Sequence, residues 1–378
     1  MTEYRQALPQ EEDDILDLAN MAFSLVRQPC DFKALLPKVY SRPGFCRYHV
    51  VAVRDGRLRA LIGLLPLTLR LDFGSALNLG FVGTVSVHPY ARGEGHMKAL
   101  MQMTRDSAKA QGMDMMVLGG QRQRYNYFDF ESAGSVINYT LSAVNLRHVL
   151  KDKDVSIYSF LPFGELDQEK LRALWQMQEK QALSGERPMV DFPLFMRTWQ
   201  GKAFAVMQGS VLIGYLYTAK EGLFEWELKP GDSLLPILKS FISQERLQEI
   251  HIRLPLHRKD EMQILSQAAE GYEISDSCMV SVLDWRSVLQ KLLDFKANRL
   301  PMEDGEVVLE IIGRCKLLIQ MRQGRPKVSA TKRKPSLRLD HNAAVLALFS
   351  LQSRLLDSSK LWHNWLPLYF SVPEADAF

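Results

Sequence analysis

The sequence predicts a mixed α/β (α+β) protein: two similar mixed-sheet units followed by a small α+β unit. Three observations carry this expectation. The chain has 378 residues, more than a single hydrophobic core usually fills. Its first part runs helix, hairpin, strand, helix, strand, the order of a mixed layer. Its second part repeats that order, an internal echo that points to duplication.

The first stretch extends to about residue 150. "DDILDLANMAF" has the period of an amphipathic helix. "YHVVAVRDGRLRALIGLLPLTLRL" reads as two strands around a turn at Asp55 and Gly56, a strong hairpin signal. "LNLGFVGTVSVH" is a further strand. A glycine turn follows, then a helix to about Ala110 that Gly112 stops. "MDMMVLGG" is a short buried strand.

The second stretch, 151–294, opens with a helix over "LDQEKLRALWQMQEKQAL". "AFAVMQGSVLIGYLYTA" is a hairpin around Gln208 and Gly209, echoing "VVAVRDGRLRALIGLL" down to an Ile-Gly pair. "LFEWEL" is a strand, "DSLLPILKSFISQ" a helix and "EIHIRLP" a strand. The third stretch, 295–378, holds strands in "GEVVLEIIGRCKLLIQMRQGRPKVSA", a helix in "NAAVLALFSLQSRLL" and the ending "LPLYFSVPEADAF".

Composition narrows the function. The hydrophobic share is 47% and the charged share 24%, ordinary for a globular chain. A net charge of +4 argues against a dedicated nucleic-acid binder. Cys30, Cys46, Cys278 and Cys315 lack paired spacing, which fits reduced thiols rather than a disulfide frame or zinc site. The acidic start has no apolar signal core and no run of about eighteen apolar residues occurs, so a cytoplasmic protein without a membrane span is expected. His88 and His96 flank the glycine turn, but no Cys or carboxylate shares a ligand spacing with them, so no metal is expected. The basic run "RPKVSATKRKPSLR" reads as a solvated face, or alternatively as a patch for an acidic partner.

"SVHPYARGEGHMKALM" concentrates the chemistry. A helix start leaves backbone N–H groups without partners, and its dipole end is positive. Together they can hold an anion. Gly93 and Gly95 permit close backbone approach, and Arg92 can add a bidentate contact. An ordinary tight turn explains the glycines as well. The Walker lysine and the Rossmann spacing are absent. In the second stretch the corresponding junction, "LKPGDSLL", has no arginine-led glycine pair, so a seat there is lost.

"VSVHPYARGEGHMKALM" resembles the acetyl-CoA-binding motif of GNAT-type N-acetyltransferases, with Arg92 and Gly95 on its pattern and Met97 departing from it. That departure and the three-part plan are similar to the Eis-type (enhanced intracellular survival) branch. There a working GNAT domain precedes a degenerate one and a sterol-carrier-like C-terminal unit. The resemblance implies that Val85, Ser86 and Val87 bind the pantetheine and acetyl portion of acetyl-CoA. It implies that Arg92, Gly93, Glu94, Gly95, His96, Met97 and Lys98 take the pyrophosphate, with Gly120 and Gln121 on the other side.

Acetyl transfer to an amine needs a proton donor for the departing thiolate. "RYNYFDF" aligns Tyr125 with the family's donor tyrosine, and Asp129 stands where the family has glycine. Tyr127 reads as packing. The resemblance further implies that the α-carboxylate of Phe378, the last residue, is the base. An α-carboxylate ordinarily titrates near about 3.5, which makes it a weak base for an ammonium near about 10, so orienting the amine fits it better. Phe23 and Phe32 are candidates for the acceptor pocket wall, or for plain core. The four cysteines lie outside the motif, so attack is direct. The expected acceptor is a primary amine on a small molecule or a lysine, and the family forms homo-oligomers, usually hexamers. A second reading is a non-catalytic protein that senses CoA or carries an apolar ligand in its third unit.

Overall fold

Apolar alternation builds the strands, and turn chemistry places their ends. The computed structural model describes all residues except 26–28, 152, 221, 232 and 352–363. The first stretch contains β1 (Glu3–Gln6), α1 (Glu12–Ser24), α2 (Phe32–Leu35), α3 (Pro37–Tyr40), β2 (His49–Arg54), β3 (Arg57–Leu71), β4 (Ser75–Val87), α4 (His96–Ala110), β5 (Met115–Leu118), α5 (Arg122–Tyr125), β6 (Glu131–Ser142) and α6 (Ala143–Val149). Acidic residues at Glu12, Asp13 and Asp14 favour the positive end of α1, and Ile15, Leu18 and Ala19 bury its inner face. Asp55 and Gly56 both have positive φ, 54° and 70°, as the tight β2–β3 turn requires.

The second stretch contains β7 (Tyr158–Pro162), α7 (Gln168–Glu179), β8 (Leu183–Gly185), α8 (Phe192–Phe195), β9 (Lys202–Gln208), β10 (Val211–Ala219), β11 (Gly222–Leu228), α9 (Leu234–Gln244), β12 (Glu249–Pro255), α10 (Lys259–Ser266), β13 (Gly271–Val282) and α11 (Trp285–Ala297). The third contains β14 (Gly305–Ile311), β15 (Cys315–Arg322), β16 (Arg325–Ala330), β17 (Leu337–Leu339) and α12 (His341–Phe349). The helix expected from 342 is described to Phe349, and its expected end at 352–356 lies outside the described residues.

One mixed sheet of thirteen strands, among the described residues, runs through both large stretches in the order β1-β2-β3-β4-β5-β13-β6-β12-β11-β10-β9-β7, with β8 on β3. The mixed α/β class and the repeated layers are as the sequence predicts. The boundary expected near 150 does not part the sheet, however. β6 lies antiparallel between β13 and β12, and β13 lies antiparallel between β5 and β6. Each stretch thus lends the other a long strand. Neither strand stood out in the sequence, because both mix polar residues into their apolar run. The third unit is a sheet in the order β16-β15-β14-β17. Its Leu309 and Ile319 share one core with Val288 and Leu292 of α11 and with Phe81 and Val117 of the first unit.

Two parallel pairs in the large sheet separate after a short contact. β4 pairs β5 only over Leu79 to Phe81, then runs on to Val87 along β3 alone. β11 pairs β12 only at Gly222 and Leu223, then runs on to Leu228. In β4 a bulge interrupts the register with β3 between Gly83 and Ser86, and Thr84 takes the left-handed region at φ 48°.

Candidate active site

The glycine turn joins the free end of β4 to α4. Gly93 and Gly95 have φ of 84° and 81°, a region that disfavours a Cβ, and each faces open space. Gly95 caps α4, and no side chain caps the helix in its place. Its first amides therefore have no side-chain partner, and the positive dipole end lies behind them. Below the turn, the buried His96 ring bonds the Tyr4 hydroxyl at 2.8 Å and the Glu94 carboxylate at 3.1 Å. Arg54 holds Glu94 at 2.5 Å. His96 and Glu94 thus brace the loop with their side chains. Arg92 and Lys98 are exposed beside it. A cavity of about 570 Å³ adjoins the turn, lined by Gly95, Lys98, Met101, Arg105, Tyr127 and Asp129. The Lys98 ammonium lies 5.8 Å from the centre of the Tyr127 ring. These residues fit a diphosphate ligand.

Val85, Val87, Met97 and Tyr125 come together in one apolar cluster around α4. Ser86 is buried and donates to the Thr84 carbonyl at 3.0 Å. Tyr125 ends the single turn of α5, which Arg122 fixes by pairing with the buried Glu131, while Asn126 donates to the same carboxylate at 2.8 Å. Burial raises the Tyr125 phenol above its ordinary range, against the opposing pull of Arg124. The phenol is therefore protonated at neutral pH. Gly120 lies against the Tyr125 ring, where a Cβ would meet Cε2 at 2.7 Å. Gln121 is the N-cap of α5, and its carbonyl accepts from the Tyr125 amide at 3.2 Å. Asp129, in the place of a glycine, still takes the left-handed region at φ 62°. Arg105 and Arg314 pair with its carboxylate at 3.3 and 2.6 Å.

Phe378 lies on the opposite face of the same strands. Met115 and Val117 of β5 belong to its cluster, whereas Met116 and Leu118 belong to that of Tyr125. The terminal residue is buried against two strand glycines. A Cβ on Gly63 would lie 2.5 Å from its ring, and one on Gly83 would lie 2.7 Å from the ring and 3.0 Å from the terminal carbonyl carbon. The rings of Tyr40 and His49 stand 6.2 Å from that of Phe378. The Tyr40 hydroxyl meets His49 Nε2 at 3.1 Å and Thr84 Oγ1 at 3.3 Å. Burial lowers the His49 pKa to about 4, so the ring is neutral and gives its Nδ1 proton to the Phe45 carbonyl at 2.9 Å. Phe32 is 1% exposed and stacks edge-on with Phe23 at 4.9 Å. It supports Tyr40 from behind, with ring centres 6.2 Å apart.

The sequence reading missed His49, Thr84, Gly63 and Gly83. Glycines within strands mark close approach and gave the one available signal. The others become relevant only because the chain end returns to them.

Residues 3–133 match the sequence profile of the acetyltransferase (GNAT) domain. No curated protein sequence matches the chain. Among solved structures, the chain is similar over its full length to a GCN5-related N-acetyltransferase from Kribbella flavida, with TM-score 0.68, 13% identity and 98% of that chain covered. It is similar to a GCN5-related N-acetyltransferase from Anabaena variabilis, with TM-score 0.67, 15% identity and full coverage of both chains. Eis1 from Mycobacterium abscessus gives TM-score 0.68 and 17% identity, again with full coverage of both. At these identities the likeness establishes a shared fold. Together, the profile match over residues 3–133 and the shared fold support an acyltransferase with an N-terminal acetyltransferase (GNAT) domain.

Proposed function

We propose that the protein is an acetyl-CoA-dependent N-acetyltransferase of Eis type, working by direct attack of an amine. The observation that carries this reading is the burial of Phe378 against Gly63 and Gly83, on strands whose other face holds Tyr125. Acetyl-CoA supplies an activated acetyl group. Amides of residues 93–97 hold its diphosphate, and the Arg92 and Lys98 side chains add charge at the rim, the Lys98 amide being bonded to Gly95. Val85 and Val87 flank the gap beside β5. Tyr125 delivers a proton to the departing sulfur. The Phe378 carboxylate orients the acceptor amine and takes its proton. The acceptor is a primary amine on a small molecule or a lysine.

In the same reading residues 1–150 form the working unit, 151–294 a degenerate copy and 295–378 a sterol-carrier-like unit. The protein is a cytoplasmic homo-oligomer with no nucleic-acid partner, and light scattering would measure its mass. The mechanism is tested by following thiol release from acetyl-CoA with spermidine and with a lysine peptide. Extending the chain past Phe378 by a few glycines should abolish release and leave CoA binding intact. Full activity in the extended protein rules out the terminal carboxylate.

A further inference from the structure

The chain end is gripped far from the cleft it enters. Arg187, just after β8, has a fully buried side chain. Its Nε and Nη2 donate to Asp376 at 2.8 and 2.9 Å, and its Nη1 and Nη2 donate to Glu225 of β11 at 2.8 and 2.7 Å. The Gly185 amide also donates to Asp376, at 3.2 Å, and the Tyr215 hydroxyl donates to Glu225, at 2.6 Å. Lys38 donates to the Ala375 carbonyl at 2.7 Å. One planar fork thus satisfies two buried carboxylates, one of them two residues from the terminus.

The tail crosses between units at this point. Ala375 packs with Phe192, Tyr215 and Tyr217 of the second stretch, whereas Phe378 packs with Tyr40 and Phe81 of the first. With two residues beyond Asp376, the terminal carboxylate stays within roughly 7 Å of that anchor. A cavity of about 420 Å³ opens where β11 and β12 part, lined by Phe224, Glu225, Arg253, Pro255 and tail residues 371–374. It corresponds to the gap between β4 and β5 in the first unit.

We propose that the second unit is the receptor for the chain's own tail, with Arg187 as a positioning residue that seats Phe378 through Asp376. The effect on turnover rests on the function proposed above, whereas the seating stands on this geometry alone. The test is made on the full chain carrying 4-fluorophenylalanine at 378. Wild type should give one ¹⁹F resonance, displaced by the neighbouring rings. Asp376→Asn keeps the shape and removes the charge, and should shift that resonance toward free fluorophenylalanine. With acetyl-CoA and spermidine, its kcat should fall about a hundredfold, with KM for acetyl-CoA unchanged within about twofold. Arg187→Lys, which loses the fork, should act in the same direction. A folded Asp376→Asn protein with an unmoved resonance overturns the proposal. A moved resonance with full turnover upholds the grip and refutes the carboxylate's part in the reaction. Should Asp376→Asn not fold, Lys38→Met removes the bond to Ala375 and the contact with the Phe195 ring while leaving the Arg187 fork intact, and the same shift is read there.

Discussion

The two strand-to-helix junctions occupy corresponding places and carry different chemistry. In the first unit, the exposed Gly93 and Gly95 lead into α4, which no side chain caps. In the second, α9 opens with Leu234, Leu235 and Pro236, all buried. Pro236 has no N–H to offer, and buried leucines leave no room for an anion. The gaps beyond the two parallel pairs differ in the same way. The one after β5 meets the glycine turn, whereas the one after β12 is lined by the tail and by Glu225, which Arg187 holds. The apolar pattern is enough to repeat a layer. A few turn residues decide whether that layer opens toward solvent or onto part of its own chain.

The comparison breaks most sharply at the terminus. Gly83→Leu forces a side chain into the space of Phe378, and turnover should fall about a hundredfold while CoA affinity holds. Retained turnover would mean that the buried end is structural. Tyr125→Phe should cost at least about tenfold in kcat, with calorimetric CoA affinity unchanged. The junctions can then be contrasted directly. Gly95→Val places a branched side chain at positive φ and should weaken CoA binding about tenfold, whereas Gly231→Val, equally left-handed at φ 93° in the second junction, should leave it unchanged. Equal losses in both variants would put a working anion seat in each unit.

The smallest effect concerns Lys38. Burial pulls its ammonium down from 10.5 to about 7, with Asp376 and Glu374 opposing the shift and Arg187 adding to it. The unfolded chain therefore binds an extra proton between these values, and stability rises with pH across that window. Below about 7 the penalty is fully present. Lys38→Met removes it, so Tm of the variant should rise less between pH 7 and 10 than Tm of the wild type. Parallel Tm curves would mean that Lys38 keeps its ordinary value.

Much of the fold was legible. The hairpins β2–β3 and β9–β10, the strands β4, β5, β11 and β12 and the helices α1, α4, α7 and α9 follow apolar periodicity and turn residues, down to the positive φ at Asp55 and Gly56. β6 and β13 were not legible. Their patterns are polar, and their burial comes from partners about 140 residues away. The glycine turn could be found because its chemistry is local. Asp129 shows the limit: it takes the left-handed backbone without being glycine, and Arg105 and Arg314 hold its side chain, which no neighbouring residue reveals.

The sequence by itself determined the layer order, the glycine turn and the tyrosine after β5, since each is written within a short run of residues. Tertiary structure alone decided that β6 and β13 change places, that Phe378 lies across the strands from Tyr125, and that Arg187 grips the tail. The physical reason is distance along the chain. Buried charge pairs and close approach to glycine depend on groups some 190 to 315 residues apart, and only folding brings them within bonding range.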